Sequence, residues 1–359
     1  MAILMLSPGE FRELVSGRRR GAGAAIVRAM LRVLEWPYTV AVNLRNRRYD
    51  RRVAPIQRVH VPVISVGNIT LGGTGKTPTV EWLARWLLDQ GVRVVLVSRG
   101  YGAQEGKPND EALELARKLP AVPHLLNPDR AAAAQQAIDR HDAQLVLLDD
   151  AFQHRRLARD LDLVLIDATE PFGFGHVFPR GTLREPLAGL ARADVIMLSR
   201  SQSIDDARRA EIRAQVARVA PAALWVEAAY VHDHLENAMG ERQAVSTLAG
   251  KPVAAFCGIG NPAGFRHSLV GCGYEVVAMR ELADHAAYTD AEVRKLSDWV
   301  DSLDVVAAVC TCKDLVKIGD RWKSTRPLWA MSGRLDITHG HGELEAVLRP
   351  LAIRAKNTF

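Results

Sequence analysis

Short apolar runs alternate with amphipathic stretches along most of this chain. Positions 61–66, 92–97, 145–148, 163–166 and 195–198 are aliphatic runs too short for helices, and each predicts a buried strand. Between them, 78–90 and 129–141 carry helical periodicity, the first closed by Gly91 and the second containing a run of alanines. Strands alternating with helices imply a mostly parallel sheet covered on both faces. A less regular stretch from 233 to 250 follows. Beyond it a second series begins, with strands at 252–257, 274–278 and 305–309 and a helix at 262–271. The pattern predicts two α/β domains with a cleft between them, a larger one over 56–232 and a smaller one over 250–359. Residues 1–55 form a separate N-terminal segment.

That segment has its own periodicity. Arg28, Arg32 and Glu35 recur at i, i+4 and i+7, while Ile26, Val27, Met30, Leu31, Val33 and Leu34 fill the rest of the surface. This is an amphipathic helix with a narrow polar stripe. Pro37 is expected to interrupt it, with Trp36 and Tyr38 at the break and Arg45, Arg47, Arg48, Arg51 and Arg52 beyond. Two readings stand. The apolar face lies in the headgroup layer of an anionic membrane, where each basic residue contributes about 1 kcal/mol, or it packs on the protein's own core beneath solvated arginines. A nucleic-acid surface is disfavoured by the apolar width of the helix.

Charge sharpens this picture. The 359 residues carry a net charge of +6, yet the first 60 hold twelve arginines against four acids, so the basic surplus belongs wholly to the N-terminal segment. A hydrophobic content of 48% with 25% charged residues is that of an ordinary globular protein, large enough for two cores. Cys257, Cys272, Cys310 and Cys312 lack the spacing of a zinc site or a disulfide framework and read as reduced thiols. No secretory leader and no uncharged run long enough to span a bilayer is evident, so the chain is expected on the cytoplasmic side.

The candidate chemistry begins where the first strand ends. Gly72-Gly73-Thr74-Gly75-Lys76-Thr77-Pro78 joins a strand to a helix start. Glycines there allow positive φ and let successive N–H groups converge on one anion, and the helix adds its positive end. Lys76 would reach the β- and γ-phosphates and Thr77 would offer its hydroxyl to magnesium. The loop departs from the common phosphate-loop pattern, since Thr70 stands where its first glycine would be. It also resembles the loop of the MinD/ParA ATPases, with Leu71 in place of their signature lysine. Asp149 and Asp150 end a strand of four aliphatic residues, which suits carboxylates beside a metal at Thr77. Gln153 and His154 continue that loop. Gly258-x-Gly260 reads as a tight strand-to-helix turn, and Thr311-Cys312-Lys313-Asp314 lacks the guanine-reading spacing, so ATP is favoured over GTP. Asp110-Glu111 and Asp284-His285 are open: a helix-start acid pair can simply complement the helix dipole, and a lone histidine is usually structural.

Taken together, Gly67-Asn68 with the glycine loop, Ser98-Arg99-Gly100-Tyr101-Gly102, Asp149-Asp150-Ala151-Phe152-Gln153-His154, Gly181-Thr182-Leu183-Arg184-Glu185-Pro186, Phe256-Cys257-Gly258-Ile259-Gly260-Asn261-Pro262, Asp284-His285 and Thr311-Cys312-Lys313-Asp314 resemble the lipid A 4'-kinase family. The resemblance implies a peripheral enzyme at the cytoplasmic face of the inner membrane. Its two phosphate-loop α/β domains would transfer phosphate from ATP, with Mg2+, to the 4'-hydroxyl of a tetraacylated glucosamine disaccharide 1-phosphate. It implies a nucleotide site over Thr70, Leu71, Gly72, Gly73, Thr74, Gly75, Lys76, Thr77 and Arg184, and metal ligands among Thr77, Asp149, Asp150 and Glu185. Asp110 matches the catalytic base, with His285 as its partner across the cleft and Lys76 as the catalytic cation. It also favours the membrane reading of the N-terminal helix, with an anionic bilayer and the glycolipid as partners and no nucleic acid. Asn109 and Ala112 around the base, Ala286 after His285, and Cys312 depart from the family's usual residues. The alternative function is a membrane-associated switch ATPase of the MinD/ParA kind.

Overall fold

The computed structural model describes residues 8–100, 110–260, 262–283, 286 and 288–358. In chain order the elements are α1 (Pro8–Val15), α2 (Ala22–Asp50), β1 (Val63–Asn68), α3 (Lys76–Asp89), β2 (Val94–Ser98), α4 (Asp110–Lys118), β3 (His124–Leu126), α5 (Arg130–His141), β4 (Leu145–Asp149), β5 (Leu161–Asp167), β6 (Val195–Ser199), α6 (Asp206–Val219) and β7 (Leu224–Glu236). They continue with β8 (Arg242–Ala244), β9 (Pro252–Cys257), α7 (Pro262–Gly271), β10 (Glu275–Glu281), α8 (Asp290–Asp301), β11 (Ala307–Thr311), α9 (Cys312–Ile318), β12 (Leu328–His339) and α10 (His341–Lys356).

Two compact units result. The first comprises Met1–Tyr101, Leu119–Ala229 and Leu335–Phe359, the second Gly102–Lys118 and Tyr230–Arg334. This division differs from the one expected. The segment carrying α4 belongs to the second unit, the C-terminal helix α10 belongs to the first, and the N-terminal segment counts with the first. A contiguous reading of the chain misses such exchanges, because β7 and β12 each carry the chain from one unit into the other.

In the first unit the strands run β7-β6-β5-β1-β4-β2-β3, every neighbouring pair parallel. β1, β2, β4, β5 and β6 are buried along their whole length, which is why they read as unbroken apolar runs. The register sets Val66 of β1 beside Asp149 of β4, so the acid pair leaves the sheet level with the glycine loop. Val95, Val97, Val146 and Leu148 pack with the alanines of α5, whose small side chains permit close approach. Asp129 caps that helix by accepting from the N–H groups of Ala131 and Ala132. Val164, Ile166, Ile196 and Leu198 form a separate core with Ile212 and Val216 of α6.

In the second unit β10-β9-β11-β12 is again parallel. The stretch expected to be irregular is partly ordered, since β7 extends to Glu236 and pairs antiparallel with β8. Asp314, fully buried, accepts from the N–H of Gly258 at 3.0 Å, the hydroxyl of Tyr288 at 2.7 Å and the hydroxyl of Thr311 at 2.6 Å. It thereby ties the end of β9 to the start of α9. The four cysteines are free, and burial pushes the Cys257 thiol up to about 12.

Candidate active site

The glycine loop spans the end of β1 and the start of α3, and backbone geometry explains its composition. Gly72 has φ +113° and Gly75 has φ +86°, values that side chains with a Cβ rarely adopt. Gly73 is not left-handed, but a Cβ there would meet only open space. The loop is held from two sides. Leu71 N–H donates to Thr182 O at 2.7 Å and Arg184 N–H to Ile69 O at 2.7 Å, while Ser199 donates to Thr74 O at 2.7 Å and Arg200 to Gly73 O at 2.8 Å. Asp167 pairs with Arg200 in turn. With these carbonyls occupied, the conformation is fixed before any ligand arrives, and the Thr74 hydroxyl is buried with no protein partner.

Asp150 stands at the mouth of this loop in a left-handed conformation, φ +50°. Aspartate tolerates that region better than most residues. Its carboxylate pairs with Lys76 at 3.6 Å and Arg184 at 2.8 Å. Burial pushes its carboxyl up, but the two cations outweigh that and hold it below the ordinary carboxylate range. Two positive side chains thus converge on one carboxylate beside the start of α3. Asp149, buried at the strand end, and Thr77, half-buried in the first turn of α3, complete the constellation.

Residues 27–352 match the family described as Tetraacyldisaccharide-1-P 4'-kinase. The chain belongs to that family. It is 38% identical over 317 residues to the tetraacyldisaccharide 4'-kinase of Anaeromyxobacter sp. (strain K), covering 84% of each chain. It is 34% identical to that of Geobacter sulfurreducens, covering 91% of this chain and 94% of the relative. Among solved structures it resembles LpxK from Aquifex aeolicus in complex with ATP, with a TM-score of 0.74 and 27% identity, covering 90% of this chain and 99% of that one. The tetraacyldisaccharide 4'-kinase relatives make this chain a lipid kinase with an ATP site, and the switch-ATPase alternative is set aside.

Within this 4'-kinase, the site residues expected from sequence take different places. Lys76, Thr77, Asp149, Asp150 and Arg184 gather in the first unit as described. Glu185 does not join them as a ligand-ready carboxylate. It is 1% exposed, and it accepts from both directions: Arg192 at 2.9 Å to each oxygen, Gln153 at 3.1 Å and Asn46 at 2.8 Å. A carboxylate so saturated organises its surroundings; Arg192 also lies over the Phe152 ring at 4.5 Å. Among the described residues no three His, Cys, Asp or Glu side chains gather as a metal-holding group. The expected metal set of Asp149, Asp150 and Glu185 is therefore not drawn together.

Asp110 opens α4 in the second unit, and His285 lies outside the described residues. His154, half-buried near Arg130 and Arg159, is pushed down to about 4 by burial first and by those cations second, and is neutral at pH 7. Sequence reasoning missed Arg192, Asn46, Ser199 and Arg200. None sits in a recognisable motif, and each acts by holding another residue's carboxylate or carbonyl.

The N-terminal helices reach the same site. α2 is continuous from Ala22 to Asp50 through Pro37, about 44 Å long. The expected interruption does not occur, since bonds on both sides of the proline hold the helix. Glu35 accepts from Val177 N–H at 2.9 Å, Tyr38 donates to Arg184 O at 3.3 Å, Arg45 bonds Gln153 O and Asn46 bonds Glu185. The polar stripe faces the protein. Ile26, Met30, Val33, Leu34 and Trp36 are exposed, between 51% and 72%, and Leu31 is buried. No helix among the described residues is long and apolar enough to cross a membrane.

Proposed function

We propose that this kinase transfers the γ-phosphate of ATP to the 4'-hydroxyl of a tetraacylated glucosamine disaccharide 1-phosphate, working at the cytoplasmic face of the inner membrane. The observation that carries the reading is the convergence of Lys76 and Arg184 on Asp150 at the mouth of a preformed glycine loop. Phosphoryl transfer needs little covalent help from a protein; it needs positive charge fixed where negative charge develops. Lys76 and Arg184 supply it on nucleotide binding by exchanging Asp150 for phosphate oxygens, and Thr74 offers its unpartnered hydroxyl.

The residues present fit magnesium, because that ion keeps several waters and takes one or two carboxylates beside substrate phosphates. Asp149 or Asp150 with Thr77 would hold it, and Glu185 is not needed. When bound, the ion neutralises charge on the phosphate chain.

The acceptor hydroxyl must lose a proton. Asp110 is assigned that role, at the first position of α4. A carboxylate is a weak base and gains from a partner, and His285 is assigned to it. The apolar face of α2, open along its N-terminal half, is assigned to the bilayer and the acyl chains. The test is transfer of labelled γ-phosphate from ATP to the acylated disaccharide phosphate in vesicles. Transfer requiring the glycolipid, lowered about 10² to 10⁴ by Asp110→Asn with ATP affinity kept, supports the assignment. ADP release indifferent to the acceptor would instead match a switch ATPase.

A further inference from the structure

One cation at the glycine loop comes from outside its motifs. Arg12 lies in α1, ahead of residues 27–352 over which the chain matches its family. A Cβ added to Gly72 would fall 2.7 Å from the Arg12 Nη2 and 3.7 Å from its Cζ, so the guanidinium fills the space that a side chain at position 72 would need. Glycine is required there twice, by a φ of +113° and by this close approach.

The arginine is held in place from its own helix. Phe11 packs near Phe178, ring centroids 6.2 Å apart, and Leu14 and Val15 are buried with Leu31 of α2. The end of α1 is tied down as well, since Arg28 donates to Leu14 O at 3.5 Å and Arg180 to Val15 O at 2.9 Å. The side chain is oriented too. Its Nε faces Glu170 Oε2 at 3.7 Å, while Glu170 Oε1 accepts from the Thr182 hydroxyl at 2.8 Å. Thr182 O in turn accepts from Leu71 N–H at 2.7 Å, one residue before Gly72. Glu170 therefore links the arginine to the loop it overhangs and turns the terminal nitrogen towards Gly72.

The chemistry of transfer gives this position a use. From Thr70 to Gly75 the loop itself carries no cation, and Leu71 stands where the MinD/ParA loops have a lysine. Lys76 and Arg184 are both committed to Asp150. In phosphoryl transfer negative charge spreads over the oxygens of the moving group, and a guanidinium reaching over the phosphate loop stabilises it, whether it comes from the same chain or from another. Arg12 is 44% exposed along its side chain, so a ligand can meet it with little displacement of protein.

We propose that Arg12 is an arginine finger supplied in cis by α1, contacting the γ-phosphoryl group as it passes from the β–γ bridging oxygen of ATP to the acceptor hydroxyl. Arg12 neither gives nor takes a proton; it opposes the charge on the moving group, and Glu170 is its positioning residue. The assignment rests on the reading of the glycine loop as the phosphate site. It places α1 in the transfer machinery, a role separate from any contact of the N-terminal segment with lipid.

The test measures transfer of labelled phosphate from ATP to the glycolipid acceptor in vesicles. Beside it runs binding of ADP alone and of ADP with aluminium fluoride, a mimic of the transferring group, in the presence of acceptor and magnesium. Full-length wild type, Arg12→Gln, Arg12→Lys, Glu170→Gln and the double Gln variant are compared, with thermal melts to confirm folding. Arg12→Gln should lower kcat by about 10² to 10³, with the KM for ATP and the affinity for ADP within about threefold of wild type. Its preference for ADP with aluminium fluoride over ADP should fall by a similar factor, and Arg12→Lys should recover part of the rate. Glu170→Gln should cost about tenfold, and the double variant should be no slower than Arg12→Gln, because Glu170 acts through Arg12. An unchanged kcat in Arg12→Gln overturns the proposal. Equal losses of ADP and of ADP with aluminium fluoride also overturn it, as does a rate loss that tracks the melting temperature, since either would make the Arg12–Glu170 pair a strut for the loop. Wild-type turnover in Lys76→Ala would instead remove the phosphate-loop reading, an outcome distinct from failure of the finger alone.

Discussion

Helices α2 and α3 are both amphipathic, but they are turned opposite ways. α3 buries Val80, Leu83, Ala84 and Leu87 against the sheet and leaves Arg85 half in solvent. α2 bonds the rest of the protein through Arg32, Glu35, Arg45 and Asn46 and leaves Ile26, Val33 and Trp36 in the open, with Leu31 buried. Fourteen residues of α3 serve the fold; twenty-nine residues of α2 are held to the fold by polar bonds and present their apolar surface elsewhere. An apolar stripe therefore states that a face must be covered, and says nothing of whether protein or lipid covers it.

The sharpest way to break this comparison is at the first residue of α3. Lys76→Ala should lower turnover by roughly 10² to 10³ or more, because it removes a fixed charge from the transferring phosphate. The loss should be the same with short-chain and long-chain acceptors, as measured by label transfer. A loss seen only with long chains would put α3 in the lipid role assigned to α2.

Next comes stability. Leu83→Ala opens a cavity in a fully buried site and should cost about 2 to 5 kcal/mol in urea unfolding. The paired change Ile26→Ser with Val33→Ser, on residues 62% and 72% exposed, should stay within about 0.5 kcal/mol per site. Comparable destabilisation by both would show that the α2 face is covered by protein. The same α2 pair should weaken sedimentation with anionic vesicles by about tenfold or more, since each side chain withdrawn from the bilayer forfeits of order 1 kcal/mol. Unchanged sedimentation would remove the membrane reading of that face.

The smallest effect is a pH dependence. His154 and His124 are both lowered from 6.5 to about 4, chiefly by burial, so each is neutral in the folded protein near pH 6 while the unfolded chain binds a proton there. Their contribution is complete above about pH 6.5 and is lost as pH falls from 6.5 towards 4. Thermal melts across that window should show falling stability, less steep in His154→Gln. Vesicle binding through the arginines of α2 should not follow it, because guanidinium does not titrate there. Asp150 acts in the same direction at lower pH: its carboxyl is held down, so its ion pairs persist above the ordinary carboxylate range and are lost on further acidification.

Much of the first unit was legible because its strands are buried on both faces. Five central strands fell within a few residues of their expected positions, and the β1–β4 register makes the glycine loop and the acid pair neighbours, as their motif order suggested. β7 and β12 were not legible. Their burial changes along their length as they pass from one unit into the other, so neither a continuous apolar run nor strict alternation marks them. Pro37 misled for a related reason: a local rule gives the cost of proline in a helix, and the bonds from Glu35, Tyr38 and Asn46 that outweigh it lie more than a hundred residues away in sequence.

The sequence by itself determined the parallel α/β plan, the glycine loop that leads from β1 into α3, the acid pair at the end of β4, and the family. These depend on local composition and spacing, which a strand, a turn and a helix start express within a few residues. Tertiary structure decided that Glu185 is buried under Arg192, Gln153 and Asn46 rather than open to a metal, that Asp150 answers to both Lys76 and Arg184, that α4 belongs with the second unit, and that the apolar face of α2 points outward. The reason is the same in each case: a charge or an apolar face is defined by what meets it, and those partners are brought together only when distant segments pack.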